Sequence, residues 1–225
     1  MKDNYLLVAS TDKELSFIRR ELDGIPRLAL LRCGVGPVEA AYNLCRYLAE
    51  QHENLPSGVI NFGIGGAYPG TGIDILDFCL ATREVIADLG VCDSGVVNVP
   101  ADPILDIKQD FRLNSQSIFK RAVHLLTEEK IPFREGGFVT LNCASGTASR
   151  GEFFRDKHQA LCENMEGAAL ARVCTGFVVD FLELRTISNM VEDRVSGRKW
   201  RINEACDLGG RYMCSLVLDL LKSSC

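Results

Sequence analysis

Two carboxylates three residues apart mark the stretch of this sequence that is best suited to chemistry. Glu163 and Glu166 interrupt the passage from a short apolar run, 159–162, to the small helix-forming residues of 167–171. This pattern predicts the end of a buried strand and then a helix, and such junctions lie at the ligand-binding edge of an α/β sheet. The alternative is that both carboxylates only interact with the helix dipole, a contribution of about 0.3–1 kcal/mol.

A third carboxylate, Glu14, follows the first apolar segment and also has two interpretations. Thr11 and Glu14 have the spacing of a capping box, in which the glutamate side chain reaches back to a backbone N–H at the start of a helix. From the local sequence alone, the cap is the favoured interpretation. A catalytic role needs support from the rest of the chain.

Composition narrows the class of protein. The 225 residues, 47% hydrophobic and 24% charged, suffice for one α/β domain, 1–225, with a substantial core. The net charge of −5 argues against a general nucleic-acid binder. We expect no signal peptide, and no apolar stretch approaches the roughly 20 residues needed to span a bilayer. The sequence therefore predicts a cytoplasmic protein without a membrane or nucleic-acid partner.

The ten cysteines and three histidines form no metal or redox motif in the sequence. Neither a Cys-x-x-Cys pair nor a Cys/His cluster occurs, so we expect no metal and no cofactor. Most of the thiols are expected to be small buried side chains in a reducing compartment. The three histidines stand in helical or polar contexts, which disfavours histidine-based catalysis.

Strand-like and helix-like segments alternate along the chain, which predicts an α/β fold with a largely parallel or mixed sheet. The predicted strands are 5–9, 28–33, 59–62, 77–82, 137–143 and 177–188, and the predicted helices are 12–22, 37–52, 115–130, 167–176 and a last helix capped by Asn203. Residues 63–68 are interpreted as a glycine-rich turn without dinucleotide-binding spacing. Residues 91–115 have no clean period and are interpreted as an irregular excursion at a subunit contact.

Three segments in this order resemble the nucleoside phosphorylase-I superfamily: 61–66 (Asn-Phe-Gly-Ile-Gly-Gly), 163–169 (Glu-Asn-Met-Glu-Gly-Ala-Ala) and 185–189 (Arg-Thr-Ile-Ser-Asn). The resemblance spans nearly the whole chain and is similar to the purine nucleosidases, the group that includes methylthioadenosine/S-adenosylhomocysteine nucleosidase. Loops at 65–70, 85–91 and 198–201 resemble the futalosine hydrolase branch. The resemblance to this superfamily implies a single-domain three-layer sandwich, in which a mixed sheet is flanked by helices. It also implies a homo-oligomer, a dimer or larger.

The resemblance also implies a role for each matched residue. Cleavage of a purine N-glycosidic bond passes through a ribosyl cation, which a carboxylate that chelates the two ribose hydroxyls would stabilise. Glu166 matches that carboxylate, and Glu14 matches the glutamate that activates the attacking water. The remaining matched positions would contact the sugar and base: Ile64, Gly65, Gly66 and Met165.

Asn189 departs from the adenine-cleaving nucleosidases, which carry an aspartate that can protonate the base. An asparagine has no titrating proton, but its amide can donate to O6 and accept from a protonated N7 of a 6-oxopurine. The resemblance therefore implies a hypoxanthine nucleoside as substrate. The alternative is that Asn189 only ends a strand through a bond from its side chain to the backbone.

Futalosine carries an aryl carboxylate on its 5′ side, and a guanidinium is a natural partner for that group. The candidates are Arg194, Arg198, Lys199 and Arg201, while Trp200 could stack on the aryl ring. A solvated basic turn is the alternative for any one of them.

Four functions follow from these residues. The first is hydrolysis of futalosine to hypoxanthine and dehypoxanthine futalosine, a step of menaquinone biosynthesis. The second is a methylthioadenosine/S-adenosylhomocysteine or aminodeoxyfutalosine nucleosidase. The third is a purine nucleoside phosphorylase, although Ile64 stands where a hydroxyl would help to bind phosphate. The fourth is a non-catalytic nucleoside-binding protein, against which the presence of both Glu14 and Glu166 argues.

Overall fold

The computed structural model describes residues 3–93, 96–98, 107–194 and 200–222, which form ten strands and six helices. The strands are β1 (Tyr5–Ala9), β2 (Leu28–Arg32), β3 (Gly58–Ala67), β4 (Phe78–Ile86), β5 (Val91–Asp93), β6 (Val96–Asn98), β7 (Asp110–Arg112), β8 (Arg134–Thr140), β9 (Ala160–Asn164) and β10 (Asp180–Met190). The helices are α1 (Asp12–Leu22), α2 (Pro37–Glu50), α3 (Ser117–Glu128), α4 (Ala148–His158), α5 (Gly167–Phe177) and α6 (Ile202–Lys222).

One mixed sheet of eight strands organises the molecule, in the order β10-β4-β8-β9-β3-β1-β2, with β7 against β4. Strand β10 also pairs with β3, so β3, β9, β8, β4 and β10 form a closed circuit from which β1 and β2 extend. Along one edge of β3, the pairing with β1 ends at Asn61, and β9 joins only at Gly66. The edge of β3 between these two points is left without a strand partner, and the cavity described below lies there.

Helices cover both faces of the sheet, which confirms the predicted three-layer α/β arrangement. Helices α1, α3 and α6 pack on one face over a core that includes Leu7, Ile60 and Leu182. Helices α2 and α5 pack on the other face over a core that includes Leu44 and Phe181. In both layers, apolar residues at helical spacing pack on the alternating apolar residues of the strands.

Several sequence-based boundaries were wrong. Residues 63–68 are not a turn, because β3 continues to Ala67 and keeps its pairing with β10 throughout. Strand β10 begins only at Asp180, after the left-handed Val178 that ends α5. Helix α6 begins at Ile202, so Asn203 lies inside its first turn rather than capping it. The irregular excursion at 91–115 contains the short strands β5, β6 and β7, although part of it lies outside the described residues.

Helix α4 was not predicted, because its apolar residues do not follow a helical period. Its N-cap Thr147 accepts a hydrogen bond from the Arg150 amide, and Phe154 on its inner face is fully buried. Of the helices that the structure describes, none combines the length and apolar character needed to cross a membrane. The described side chains also include no cluster of three or more Cys, His, Asp or Glu arranged to hold a metal ion.

Candidate active site

A cavity of about 400 Å³ opens at the edge of the sheet where the parallel strands β1, β3 and β10 end. Its volume is in the range of small-molecule sites. Its walls come from segments that are distant in sequence: Ser10, Thr11, Lys13, Glu14, Val35, Ile64, Gly65, Gly66, Ala144, Glu163, Asn164, Met165, Glu166, Arg185, Ser188, Asn189, Trp200, Ile202 and Cys206. The structure therefore brings eight of the ten sequence-predicted site residues into one cavity.

Glu166 lies at the N-cap of α5, at the junction predicted from the sequence, and is only 4% exposed. The backbone N–H of Gly36, in the turn before α2, donates to Oε1 at 3.0 Å. The Arg185 guanidinium lies 3.7 Å from Oε2. One carboxylate is thus tethered through both oxygens and retains lone pairs that face the cavity, as the chelation of two hydroxyl groups requires.

Glu14 is a helix cap and a cavity residue at the same time. Its Oε2 accepts from the backbone N–H of Thr11 at 3.0 Å and from the Thr11 hydroxyl at 2.8 Å, which completes the predicted capping box. Its Oε1 accepts from the Ile64 N–H at 3.1 Å, on the edge of β3 that has no strand partner. The cap therefore does not compete with a role in the cavity, because it fixes the carboxylate there.

Arg185 lies beneath Glu14 and Glu166, in the middle of β10, and its side chain is 1% exposed. It pairs with Glu183 and approaches Glu166, so burial of the guanidinium is compensated by two carboxylates. A β-carbon on Gly63 would come within 2.4 Å of Glu14 Oε1 and 2.9 Å of Arg185 Nη1, so glycine lets these groups approach the strand. Arg185 is absent from the sequence-predicted site residues, although an arginine inside an apolar strand indicates a buried counter-charge.

Asn189 reaches the cavity because β10 contains an irregularity at this point. The register with β3 shifts between Ile187 and Asn189, which leaves Ser188 as an extra residue and re-aims the side chains. The Ser188 hydroxyl donates to Asn189 Oδ1 at 2.8 Å, and Asn189 Nδ2 donates to the Met190 carbonyl at 3.2 Å. The Asn189 side chain thus makes a hydrogen bond to the backbone, as the alternative interpretation expected. The amide still has one N–H and one lone pair free for a ligand.

Glu163, the other carboxylate of the predicted pair, also lines the cavity. The Tyr68 hydroxyl donates to its Oε2 at 3.0 Å, and the Ser145 N–H donates to its Oε1 at 2.7 Å. Met165 lies between the two carboxylates in sequence and lines the cavity with its partly buried side chain. Neither carboxylate of the pair is therefore a simple partner of the helix dipole.

Among the residues that the structure describes, the mouth of the cavity combines apolar side chains with the exposed cation Lys13. Val35 and Trp200 are 56% and 42% exposed, and Lys13 lines the cavity beside them without a carboxylate partner among the described residues. The Arg194 guanidinium lies 5.1 Å from the centroid of the Trp200 ring. Sequence analysis did not select Lys13, since a single lysine on the first turn of a helix resembles an ordinary solvated residue.

Neither of the two predicted basic site residues, Arg198 and Arg201, is found among the described residues that line the cavity. The Arg201 guanidinium pairs with Glu204, with Nε 2.8 Å from Oε1, and does not line the cavity. Its backbone N–H donates to the Ser188 carbonyl at 2.8 Å, which ties the start of α6 to β10. Arg198 lies outside the described residues.

Two cysteines near the carboxylates remain neutral thiols. Burial, together with the charge of Glu166, raises the pKa of Cys33 to about 12. Burial, with a contribution from Glu14, raises the pKa of Cys206, which lines the cavity, to about 12. A thiol is a weak nucleophile, so the chemistry of this cavity belongs to its carboxylates.

Comparisons with known proteins agree with this geometry. The model of the phosphorylase superfamily matches residues 8–222. A futalosine hydrolase of Thermus thermophilus is 31% identical over 189 residues, 84% of this chain and 80% of the relative. A 5′-methylthioadenosine/S-adenosylhomocysteine nucleosidase of Geobacillus sp. is 29% identical over 200 residues, 86% of this chain and 80% of the relative. The solved structure of a Helicobacter pylori futalosine hydrolase has the same fold, with a TM-score of 0.81 at 19% identity over 97% of this chain and 99% of that one.

Proposed function

Because the chain belongs to the phosphorylase superfamily, we propose that it hydrolyses the N-glycosidic bond of futalosine to give hypoxanthine and dehypoxanthine futalosine, a step of menaquinone biosynthesis. Its enzyme class is that of the purine nucleosidases, hydrolases that act on N-glycosyl bonds. The observation that carries the choice of futalosine is an asparagine, Asn189, in the same cavity as Glu14 and Glu166. We propose that residues 1–225 act as one domain in the cytoplasm.

The proposed mechanism uses the two tethered carboxylates for different tasks. Glu166 binds the two ribose hydroxyls, and its charge stabilises the ribosyl cation as the C1′–N9 bond lengthens. Glu14 accepts a proton from the attacking water, whose oxygen bonds to C1′ as the electron pair of the broken bond moves to the base. The departing hypoxanthine takes up a proton from solvent. Met165 and the strand edge at Ile64–Gly66 pack against the sugar and base.

The hydrogen bonds of Asn189 support a 6-oxopurine as the leaving group. With Ser188 donating to Oδ1 and Met190 accepting from Nδ2, the amide keeps one acceptor for a protonated N7 and one donor for O6. A 6-amino group would face that donor with another donor. Such a buried mismatch costs about 1–3 kcal/mol, equivalent to about a tenfold to hundredfold change in rate.

The charges around the cavity favour water over phosphate as the acceptor. Phosphate needs several cations or hydroxyl donors at once. Among the described lining residues, the cations are Lys13, at the mouth, and Arg185, which is already paired with Glu183 and Glu166. A phosphate beside Glu14 and Glu166 would therefore meet uncompensated negative charge.

The mouth suits the rest of futalosine. Its aryl carboxylate combines an apolar ring with one negative charge, and the mouth combines Val35 and Trp200 with Lys13. Arg194, stacked on Trp200, is a second candidate, and Arg198 remains one on sequence grounds. The bond from Arg201 to Glu204 makes Arg201 the weaker candidate.

A homo-oligomer is part of the proposal. Val35, just before α2, and Val38 and Tyr42 on its first turns are 56%, 78% and 61% exposed, an apolar surface next to the mouth that a second copy would cover. Sedimentation velocity of the wild type tests this, and a monomer at micromolar concentration would contradict it.

The experiment that decides the function measures release of free base from a nucleoside panel: futalosine, aminodeoxyfutalosine, methylthioadenosine, S-adenosylhomocysteine, and inosine with and without phosphate. We expect futalosine to be cleaved at least about tenfold faster than its 6-amino analogue, without any need for phosphate. Asn189→Asp should narrow this preference, because a carboxylic acid can protonate N7 of adenine. Asn114→Asp, at an exposed asparagine outside the cavity lining, is the matched control. A wild type that cleaves methylthioadenosine as readily as futalosine would assign the chain to the adenine-specific nucleosidases.

A further inference from the structure

Two carboxyl groups are completely enclosed behind the floor of the cavity. Glu84 on β4 and Glu183 on β10 are both 0% exposed, and neither lines the cavity. An oxygen of each side chain lies 2.3 Å from the same point, the position that a β-carbon on Gly167 would occupy. Two carboxylates that approach each other away from water repel strongly if both are ionised, so we infer that one of the two is a neutral acid.

The surroundings decide which of the two keeps the proton. Glu183 Oε1 accepts from Arg185 Nε at 2.9 Å and lies 2.8 Å from Arg185 Nη2, so it faces a cation directly. The donors to Glu84 are neutral: the Val85 N–H at 3.1 Å, the Thr140 hydroxyl at 3.0 Å and the Asn164 amide. Glu183 is therefore the better site for a negative charge, and Glu84 is the better site for the proton.

An otherwise unpaired atom supports this assignment. Glu183 Oε2 is buried and has no hydrogen-bond donor among the described groups if both acids are ionised. A proton on Glu84 supplies that donor. Burial raises the pKa of Glu84 well above its ordinary value, and the charge of Glu183 raises it further, against the opposing effects of Asn164 and Arg185. From β9, the neighbouring titratable group is Cys162, whose pKa is itself raised by burial.

We propose that Glu84 is a neutral acid that donates its proton to Glu183, and that this pair is a positioning element that holds Arg185, and through it Glu166, in the orientation needed for glycosidic cleavage. The proposal rests on the proposed function only for its activity measurements.

Two routes connect the pair to Glu166. Through Glu183, the Arg185 guanidinium is fixed by Nε and Nη2, so its Nη1 points towards Glu166. Through Glu84, the Asn164 amide is fixed by its Nδ2, so its Oδ1 accepts from the backbone N–H groups of Glu166 and Gly167 at 2.9 and 2.7 Å. If Glu84 lost its proton, two negative charges would face one guanidinium and draw it away from Glu166.

Gly167 makes room for the pair. A β-carbon at this position would lie 2.3 Å from Glu84 Oε1 and 2.3 Å from Glu183 Oε2, well inside contact distance. The first residue of α5 is therefore a glycine because the two carboxyl groups meet directly beneath it.

The test compares three variants with the wild type. Glu84→Gln keeps the size, the neutrality and a donor for Glu183 but loses the acceptor for the Asn164 amide, so its kcat should lie between that of the wild type and that of Glu84→Ala. Glu84→Ala removes the donor, and Glu183→Gln removes the counter-charge of Arg185. Each of these should lower kcat by about tenfold or more with a smaller change in KM, because binding groups at the mouth are untouched.

A measurement without substrate decides the protonation state. In the infrared difference spectrum between the wild type and Glu84→Gln at pH 7, we expect the carbonyl band of a neutral carboxylic acid to be present only in the wild type. In addition, Tm of the wild type should fall relative to that of Glu84→Gln as pH rises above the ordinary glutamate pKa, because the folded state then holds a proton that the unfolded chain has lost.

Loss of activity in Glu84→Gln as severe as in Glu84→Ala, or a wild-type spectrum without the neutral-acid band, would overturn the proposal. If Glu183→Gln does not fold, two other measurements still test the proposal: the infrared band of the neutral acid, and the difference in kcat between Glu84→Gln and Glu84→Ala. If no nucleoside is cleaved, the proposed function fails, while the spectrum and the pH dependence of Tm still test the pair.

Discussion

At the floor of the cavity, Glu14, Glu166 and Arg185 are at most 5% exposed, and each is held by at least two protein groups. At the mouth, Lys13 and Trp200 are exposed, and the contact that the structure gives Trp200 is stacking with Arg194. The floor residues lie on the first turn of α1, at the N-cap of α5 and on β10, whereas the mouth residues are the exposed Lys13 on α1 and Trp200 just before α6.

The difference indicates that the floor and the mouth of the cavity have separate functions. Groups that stabilise a developing charge must be in place before the reaction, and burial with several hydrogen bonds achieves this. Groups that select among substrate tails need only add binding energy, and exposed side chains can do so. Substitutions at the floor should therefore change kcat, and substitutions at the mouth should change KM for particular substrates.

The largest effect should come from Glu14→Gln. Glutamine can still complete a capping box, so the fold should persist, but it cannot accept a proton from water, and kcat should fall by about 10²–10⁴-fold. Turnover and Tm measured on the same sample separate the two roles. If turnover and Tm both stay near the wild-type values, Glu14 is a cap and not a catalytic base.

A somewhat smaller loss is expected from Glu166→Gln, which keeps the shape of the side chain and removes the charge that opposes the ribosyl cation. We expect kcat/KM for futalosine to fall by about 10²–10³-fold. Steady-state kinetics measure this directly. A loss below about tenfold, or roughly 1.4 kcal/mol, would count against Glu166 as the group that binds the ribose hydroxyls.

The mouth is tested by Lys13→Met, which keeps most of the apolar stem and removes the charge. KM for futalosine should rise by about threefold to thirtyfold, while kcat, and both constants for inosine, should stay near the wild-type values. Arg201→Met is the matched control, because the guanidinium that it removes is bonded to Glu204. Equal effects of Lys13→Met on both substrates would show that Lys13 does not contact the aryl carboxylate.

The smallest effect should arise away from both regions, at His158 on the last turn of α4. Burial lowers the pKa of His158 from 6.5 to about 4. Between these two values, the unfolded chain binds a proton that the folded chain does not, so stability should fall as pH falls through this window. His158→Gln should make Tm less dependent on pH between pH 7 and 4, with little change in turnover at neutral pH. An unchanged pH dependence would contradict this assignment.

The sequence predicts the site better where its signals are local. The junction at Glu166 and the capping box of Glu14 both depend on neighbours within a few residues, and the structure has them as expected. The glycine-rich half of β3 was mistaken for a turn, because its strand conformation depends on pairing with β10, which lies far along the chain. The local hydrophobic pattern of a sequence does not show which distant strand will pair with a segment.

Residues beneath the site were harder to find for the same reason. Arg185, Glu183 and Glu84 explain one another only when β4 and β10 are seen side by side. In the sequence, Glu84 is one charged residue after an apolar strand, and it is easily interpreted as the point where the chain leaves the sheet. The two buried charges of β10, Glu183 and Arg185, were in contrast a usable signal, because each charge buried in an apolar strand needs a compensating partner.

The close approach at Gly167 also constrains how the sequence can diverge. A larger residue at position 167 is excluded while both Glu84 and Glu183 are present, since a single β-carbon would already overlap their oxygens. Replacement of one carboxyl by a shorter side chain would not create the space, because the oxygens of the other would still overlap that β-carbon, and it would leave the other without its partner. Positions 84, 167 and 183 are therefore expected to change together during evolution. A side chain larger than glycine at position 167 should occur only in relatives in which both carboxyl groups have been replaced.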